Sequence, residues 1–596
     1  MRDYHHTARD TFLVWRAAGS PREGEAAVRM RVARAQFKLA LRECKASEDR
    51  LRNEALAGKL TNRDMTGYWD AVKQLNPRSS KVTNKLDNVT GNSNILKMWR
   101  DKYKSLFNSV DPRNRHCNIL DSIAISEFFT VNEITTVIKE LAKNKAVGMD
   151  SIPSEVFIYS SHRLRTLLTI FINGCMRHCY MPSIIMQTVL IPILKNKLKP
   201  ATETDNYRPI AIATAVSKVF ELLILTKCEA KLSTTDNQFG FNKKHSTDLC
   251  IFALKEIVNY YNSQRSTVFL CYLDIRKAFD RVNFQNLFSK LIDRSVPLYL
   301  VKLIAFWYTN QNIVIRWGSS LSEPFSVTNG IKQGGLLSPY LFNVYIDLLS
   351  VQLSASKAGC MAGAQLINHL CYADDMVLIA PSKRGLQELL NICSTYAALH
   401  DVLYNTEKSV CMICWPKHFL YQFTPTFYLQ GDVLEYVESY KYLGVMIYNN
   451  MSDDEEIKKC MRSIYATGNM IIRKFGKCSL ECKLLMFKTF FSNIYGCGLW
   501  SKYRVASYSK IKVSHNDIFR LLLNVRRDES ASTLFVQHNV CNLDSVIRRC
   551  YFSLMARVRS SANVILASLV RGEARLHSHL WHRWSVALGR DMTEGG

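Results

Sequence analysis

The stretch LINHLCYADDMVLIA, residues 366–380, sets apolar runs on either side of two adjacent aspartates, Asp374 and Asp375, which follow Tyr372 and Ala373. This pattern predicts a β-hairpin with its acids at the tip. Tight turns ordinarily favour Asn-Gly or Asp-Gly. Two neighbouring carboxylates repel and gain nothing unless a cation sits on them. Taken alone, the pair reads better as a solvated acidic turn.

A second stretch of the same kind, VFLCYLDIRKAFDRVN at 268–283, changes the balance. An apolar strand ends on Asp274 and a helix follows. A carboxylate at the end of such a strand is costly unless it is paired or bound to metal. Acids from separate segments holding two metal ions are the machinery of in-line nucleotidyl transfer. Asp274, Asp374 and Asp375 suit that role, one ion activating a primer 3′-hydroxyl and the other supporting the leaving pyrophosphate.

Two further segments supply what a nucleoside triphosphate requires. Lys195 closes the strand 188–194, and Asn206-Tyr207-Arg208-Pro209-Ile210 opens the next, so both can offer charge-assisted donors. The glycine loop Asn329-Gly330-Ile331-Lys332-Gln333-Gly334-Gly335 runs into a helix, with Ser338 expected as N-cap and Pro339 in its first turn. Backbone without side chains permits close approach by a nucleotide. Singly, each segment also reads as surface charge or a plain loop-to-helix junction.

Strand-like runs at 188–194, 268–274, 312–317 and 366–380 alternate with helical patterns at 214–232, 248–261 and 338–353, which predicts an α+β fold with helices on an antiparallel sheet. From 21 to 56 the spacing of Met30, Ala33, Phe37, Leu41 and Cys44 predicts an amphipathic helix, and a second one is expected over 96–106 beyond the polar stretch 76–80. After about Met451 the pattern turns helical and basic.

Net charge is +27 over 596 residues, concentrated at the ends: residues 1–115 carry 24 Lys+Arg against 13 Asp+Glu, and 451–596 carry 23 against 12. Such flanks suit a polyanionic partner, whose counterions are released on binding. The 18 cysteines are scattered through a long chain and read as reduced thiols, with no paired spacing that predicts a zinc site. No apolar run approaches the about 18 residues of a membrane span, so no membrane partner is expected.

Nine ordered segments resemble the reverse transcriptase of LINE-type, non-LTR retrotransposons of the jockey kind: LAKNKAVGMDSIPSEVF (141–157), LIPILKNK (190–197), NYRPIAI (206–212), QFGFNKKHST (238–247), LDIRKAFDRV (273–282), GIKQGGLLSPYLFNVYIDLL (330–349), CYADDMVLIA (371–380), YNTEKS (404–409) and YKYLGV (440–445). The resemblance implies a right-hand polymerase with fingers, an antiparallel palm sheet and a helical thumb. It divides the chain into a basic RNA-binding extension (1–115), a helical lead-in (116–175), fingers and palm (176–450), thumb (451–530) and a helical C-terminal extension (531–596). The implied activity is RNA-directed DNA polymerisation, a nucleotidyl transfer from deoxynucleoside triphosphates to a DNA primer on an RNA template.

Residue by residue, the resemblance implies that Asp274, Asp374 and Asp375 bind two Mg²⁺ ions, with Mn²⁺ as substitute. Lys195 and Arg208 would contact the triphosphate, Phe279 would be the steric gate that excludes a 2′-hydroxyl, and Gln333 and Gly334 would line the nucleotide pocket. Lys408 would donate a proton to pyrophosphate, and Tyr442, Leu443 and Gly444 would form the primer grip. Relatives often carry a bulkier or polar residue where this chain has Gly335, so a looser pocket is expected there. No endonuclease constellation precedes residue 115, so that activity is expected from a missing upstream domain or in trans. An intracellular, nuclear site of action with a cytoplasmic RNA-bound stage is expected. The rival readings are an inert, truncated relic that only binds nucleic acid, an RNA-templated RNA polymerase and a group II intron-type maturase.

Overall fold

The computed structural model describes residues 2–62, 64–75, 83–110, 128–196, 199–416 and 424–588, so the polar stretch predicted at 76–80 and part of the lead-in after 115 lie outside it. The chain forms two compact units. One comprises 1–79 and 453–552, the other 80–452 and 553–596.

The larger unit is organised on a five-stranded sheet in the order His369–Tyr372, Asp375–Ala380, Val268–Leu273, Val410–Cys414 and Glu435–Tyr436. Its pairs are antiparallel except the last, which is parallel. Val268–Leu273 is buried at every residue, which is why it reads as an unbroken apolar run rather than an alternating one. Helices Thr247–Ser263 and Lys383–Leu399 pack on this sheet. The predicted hairpin forms with Tyr372 paired to Asp375, and Met376 pairs with Leu273. Continuing that register by one residue sets Asp375 opposite Asp274.

A second sheet carries Tyr207–Ile212, Thr188–Leu194, Asn312–Trp317 and Ser320–Leu321, with Phe325–Ser326 also on Asn312–Trp317. Here Thr188–Leu194 runs antiparallel to Tyr207–Ile212 but parallel to Asn312–Trp317. The sheets are therefore mixed rather than purely antiparallel. Helix Ala215–Cys228 begins three residues after this sheet, capped by Thr214, whose hydroxyl accepts the Ser217 N–H at 3.2 Å.

The smaller unit is helical and basic, with 33 Lys+Arg against 19 Asp+Glu over its two segments. Leu56, Ala57 and Leu60 of helix Glu25–Thr61 share a core with Ile457, Ile464, Met486 and Phe487. Phe519 and Phe535 stack there at 4.5 Å. Helix Asp454–Phe475 opens on Asp454, Glu455 and Glu456 and ends on Arg473 and Lys474, the charge order the helix dipole favours. In Glu25–Thr61 the expected stripe is only partly buried. Ala33 is interior, whereas Leu41 and Cys44 face solvent, because the helix packs toward its two ends, against helix Arg2–Ala17 at the start and against the helices after 453 at Leu56, Ala57 and Leu60, and leaves its middle open.

Candidate active site

Strand register alone brings the three acids to one edge of the central sheet. Burial raises the carboxyl of Asp375 to about 6, and repulsion from Asp374 and then Asp274 pushes the same way, although its side chain still reaches solvent. Asp374 is raised for the same reasons, burial first and Asp274 next among its charged neighbours. Arg208, at the edge of the second sheet, opposes both shifts. Three hard oxygen donors crowded against one another are what a divalent cation relieves. Among the described residues no three His, Cys, Asp or Glu side chains already enclose an ion site. The fit to metal is therefore one of donor chemistry and mutual repulsion.

Asp274 is held from the loop 404–409. The Asn405 amide donates to its carboxylate, and the Ser409 hydroxyl accepts the Asp274 N–H at 3.1 Å.

The cations converge on the same edge. Lys195 donates to the Asp205 carbonyl at 2.9 Å. Its ammonium is lowered by burial and then by Arg208, Lys408 and Lys277, against Asp205. Lys277 was not singled out from sequence. It sits in the turn after Asp274 with φ 49, a left-handed conformation uncommon outside glycine. Its position in the spacing DIRKAF carried no signal by itself.

Phe279 stacks on Phe342 of helix Ser338–Ala355 at 4.7 Å and stays partly exposed. Beneath it lies a buried polar network. The Gln333 amide donates to the Asp280 carboxyl at 2.6 Å, so this side chain is tied to Asp280, and Asn329 donates to the Asp280 carbonyl at 2.8 Å. Asp280 is 3% exposed, and burial raises its carboxyl to about 7. The Gly334 Cα abuts the second sheet: a Cβ there would lie 3.0 Å from the Ala211 carbonyl, at φ +112.

The helix after the glycine loop starts differently from expectation. Ser338 is its first residue, not its cap, and Leu337 precedes it without a side-chain cap bond. The carboxylate of Glu221, from helix Ala215–Cys228, instead accepts the Leu336 N–H at 2.6 Å. Lys332 lies over the Trp307 ring at 4.5 Å and is drawn toward Glu221, though burial lowers it to about 8. Gly335 is not a loosened spot. A Cβ there would lie 2.7 Å from the Ser338 hydroxyl and 3.2 Å from Glu221, so glycine makes room for the buried carboxylate.

Tyr442 is interior, its hydroxyl 3.5 Å from the Cys250 thiol. Leu443 and Gly444, both at positive φ, form the turn between Ser439–Tyr442 and Val445–Tyr448. Tyr440 of this hairpin stacks on Tyr272 at 4.4 Å, beside the acids. Lys408 is exposed. Gln238, Gly240 and Asn405 meet the acidic segments although only the motifs containing them, not their roles, were legible from sequence.

Residues 193–447 match the family described as reverse transcriptase (RNA-dependent DNA polymerase). The probable RNA-directed DNA polymerase from transposon BS of Drosophila melanogaster is 24% identical over 74% of this chain and 49% of its own length. The probable RNA-directed DNA polymerase from transposon X-element of Drosophila melanogaster is 26% identical over 68% and 46%, respectively. The RNA-directed DNA polymerase from mobile element jockey of Drosophila funebris is 25% identical over 60% and 40%. The chain thus spans about half the length of the curated relatives it matches. A solved apo telomerase from Candida tropicalis, truncated from its C-terminal domain, overlaps 51% of this chain at TM-score 0.32 and 10% identity, too slight a likeness to carry a conclusion. Acids in register at the strand ends, cations facing them and these relatives converge: residues 193–447 match the reverse transcriptase family, and the chain is similar to RNA-directed DNA polymerases of non-LTR retrotransposons.

Proposed function

We propose that the protein extends a DNA primer 3′-hydroxyl on an RNA template from deoxynucleoside triphosphates, as the polymerase of a non-LTR retrotransposon. The observation that carries this reading is the register that sets Asp375 opposite Asp274, with Asp374 adjacent and Arg208 facing them. Asp274, Asp374 and Asp375 would hold two Mg²⁺ ions, with Mn²⁺ as substitute. Bound there, the ions would supply a more acidic primer hydroxyl and neutralise the leaving pyrophosphate.

The chain's own residues do the positioning. Lys195 and Arg208 bind the triphosphate, and Lys277 and Lys408 add positive charge on the same side. Phe279, backed by Phe342, presents a flat face where a 2′-hydroxyl would clash. Gln333 contributes through Asp280, and Gly334 lets the loop lie close to Tyr207–Ile212. Leu443 and Gly444 would meet the primer backbone. In this reading the fold is a right hand, the mixed sheets forming palm and fingers and the basic helical unit gripping the duplex by its phosphates. Action on nuclear DNA after a cytoplasmic RNA-bound stage, with endonuclease activity supplied by another domain or in trans, completes the proposal.

Primer extension with purified protein on an RNA template tests it. Wild type is expected to extend with Mg²⁺ and Asp374→Asn to lose extension while still binding RNA. Equal, negligible extension by both proteins would leave the inert-relic reading in its place.

A further inference from the structure

We infer that Gln238 is a positioning residue for the turn Tyr372–Asp375, and that the C-terminal helix Val564–Arg571 keeps Gln238 in place. This rests on the reading of Asp374 and Asp375 as catalytic acids.

Ala373, at the centre of the turn, has φ 57. A non-glycine residue stays in that region only when its surroundings hold it there. Gln238 provides the hold. Its side-chain carbonyl accepts the Ala373 N–H at 2.8 Å and the Gly240 N–H at 2.9 Å, and its amide group points back at the Ala373 carbonyl at 3.4 Å. One side chain thus engages both polar groups of the residue before Asp374, and Gln238 is itself only 2% exposed.

The backbone around Gln238 is fixed to the same hairpin. Phe239 donates to the Cys371 carbonyl and Cys371 to the Asn237 carbonyl, each at 2.8 Å. Gly240 completes the fit, because a Cβ there would sit 2.3 Å from the Ala373 nitrogen. The segment 237–240 therefore lies flush against the turn.

The C-terminal part of the same compact unit pins the longer stretch 236–248 at both ends. Asn563 donates to the Asp236 carbonyl, and the Val564 N–H donates to the Asp236 carboxylate, each at 2.7 Å. Arg557 donates to the Ser246 hydroxyl at 2.8 Å and to the Asp248 carboxylate at 3.0 Å. Asp236 is two residues from Gln238, so displacing the first turn of Val564–Arg571 moves the residue that holds Ala373. The C-terminal segment, whose described residues contribute no group to the acids or cations of the site, thereby becomes part of the polymerase machinery.

The full chain tests this as wild type, Gln238→Met, Asn563→Asp and the double variant. Methionine matches glutamine in length but neither donates nor accepts here. Aspartate at 563 keeps the oxygen that caps the Leu566 N–H at 3.1 Å and loses the amide that holds Asp236. Steady-state primer extension is measured against deoxynucleotide and Mg²⁺, together with melting temperature and amide hydrogen exchange over 371–376. Gln238→Met is expected to lower kcat by about 100-fold, the scale of a displacement of about 1 Å. Its nucleotide KM should stay within about threefold, with a higher Mg²⁺ requirement and faster exchange over the turn. Asn563→Asp should show the same pattern more weakly, and the double variant should be no worse than Gln238→Met.

A Gln238→Met protein with wild-type exchange and kcat overturns the positioning role. Independent, multiplicative losses overturn the link to the C-terminal helix. Should Gln238→Met fail to fold, Asn563→Asp alone decides, since unchanged kcat and exchange there remove the link. If wild type extends no primer, the polymerase reading falls while the exchange rates still decide the hold on Ala373.

Discussion

Nδ2 of Asn405 donates to the Asp274 carboxylate at 3.1 Å while the Asn405 backbone N–H donates to the Asp274 carbonyl at 2.8 Å. The other face of the same amide accepts from Arg276 at 3.2 Å, so its orientation is fixed from both sides. Partners of this kind typically matter by about 10- to 100-fold in metal affinity or activity. Asn405→Ala is accordingly expected to raise the Mg²⁺ concentration for half-maximal extension by about that factor, with folding retained. A Mg²⁺ titration coinciding with wild type would show that Asp274 needs no such support.

Phe279→Ala should relax sugar selection. Steric discrimination of a small group is worth on the order of 10- to 100-fold, and the ratio of deoxynucleotide to ribonucleotide incorporation is expected to fall within that range. Competition assays with matched nucleotide pairs measure it. An unchanged ratio would assign Phe279 to packing against Phe342.

Gly335→Ala is expected to destabilise the larger unit by about 1–3 kcal/mol, as overpacking does, because the added methyl meets Ser338 and the Glu221 carboxylate. Gly174→Ala is the matched control. It lies in helix His162–Arg177 with nothing near its added Cβ, and should gain about 0.5–1 kcal/mol from lower backbone entropy. Denaturant unfolding of the two proteins should move in opposite directions. Equal midpoints would mean that the loop yields freely around residue 335.

Asp280 gives stability a pH dependence of unusual sign. Burial holds its carboxyl up to about 7 against the pull of Gln333, Lys277 and Lys195, whereas an unfolded aspartate titrates near about 3.9. The folded protein therefore binds this proton more tightly, and stability is lost as pH rises from about 4 to about 7, then levels off. Glu256, also raised to about 7 by burial, adds to the same trend. Metal-free Asp280→Asn, which keeps the oxygen facing Gln333, should show a shallower fall in melting temperature between about pH 5 and 7.5. Slopes that superpose would show that Asp280 stays ionised in the fold.

Much of this architecture could be read from sequence because its strands are long, apolar and bounded. Thr188–Leu194 and Asn312–Trp317 lie where the pattern put them, and the hairpin tip fell on the acids because repelling carboxylates need a reason to be neighbours. What was hidden depends on pairs far apart in the chain. Ser338 satisfies every local rule for a cap, yet it is the first helical residue, and the loop just before the helix is held instead by Glu221, more than 100 residues earlier, which accepts the Leu336 N–H. Gln238 and Asn405 each sat inside a recognised motif, but neither carries a local mark of what it touches. The exposed Leu41 and Cys44 show the converse. Periodicity identified a helix, while the stretches of it that pack were decided by helix Arg2–Ala17 at one end and by helices after residue 453 at the other.

The division of the smaller unit into residues 1–79 and 453–552 also sets a timetable for its assembly. At about 5–20 residues per second of synthesis, the 373 residues between the two parts keep Leu56, Ala57 and Leu60 waiting for roughly 20–75 seconds before Ile457 and Met486 exist to cover them. The larger unit can begin to fold on the ribosome during that interval, whereas the smaller one can close only after Ile457 and Met486 have been made. During that wait the N-terminal helices are exposed to chaperones, proteases and any RNA at hand, and RNA already bound to their basic faces would be present when the unit closes.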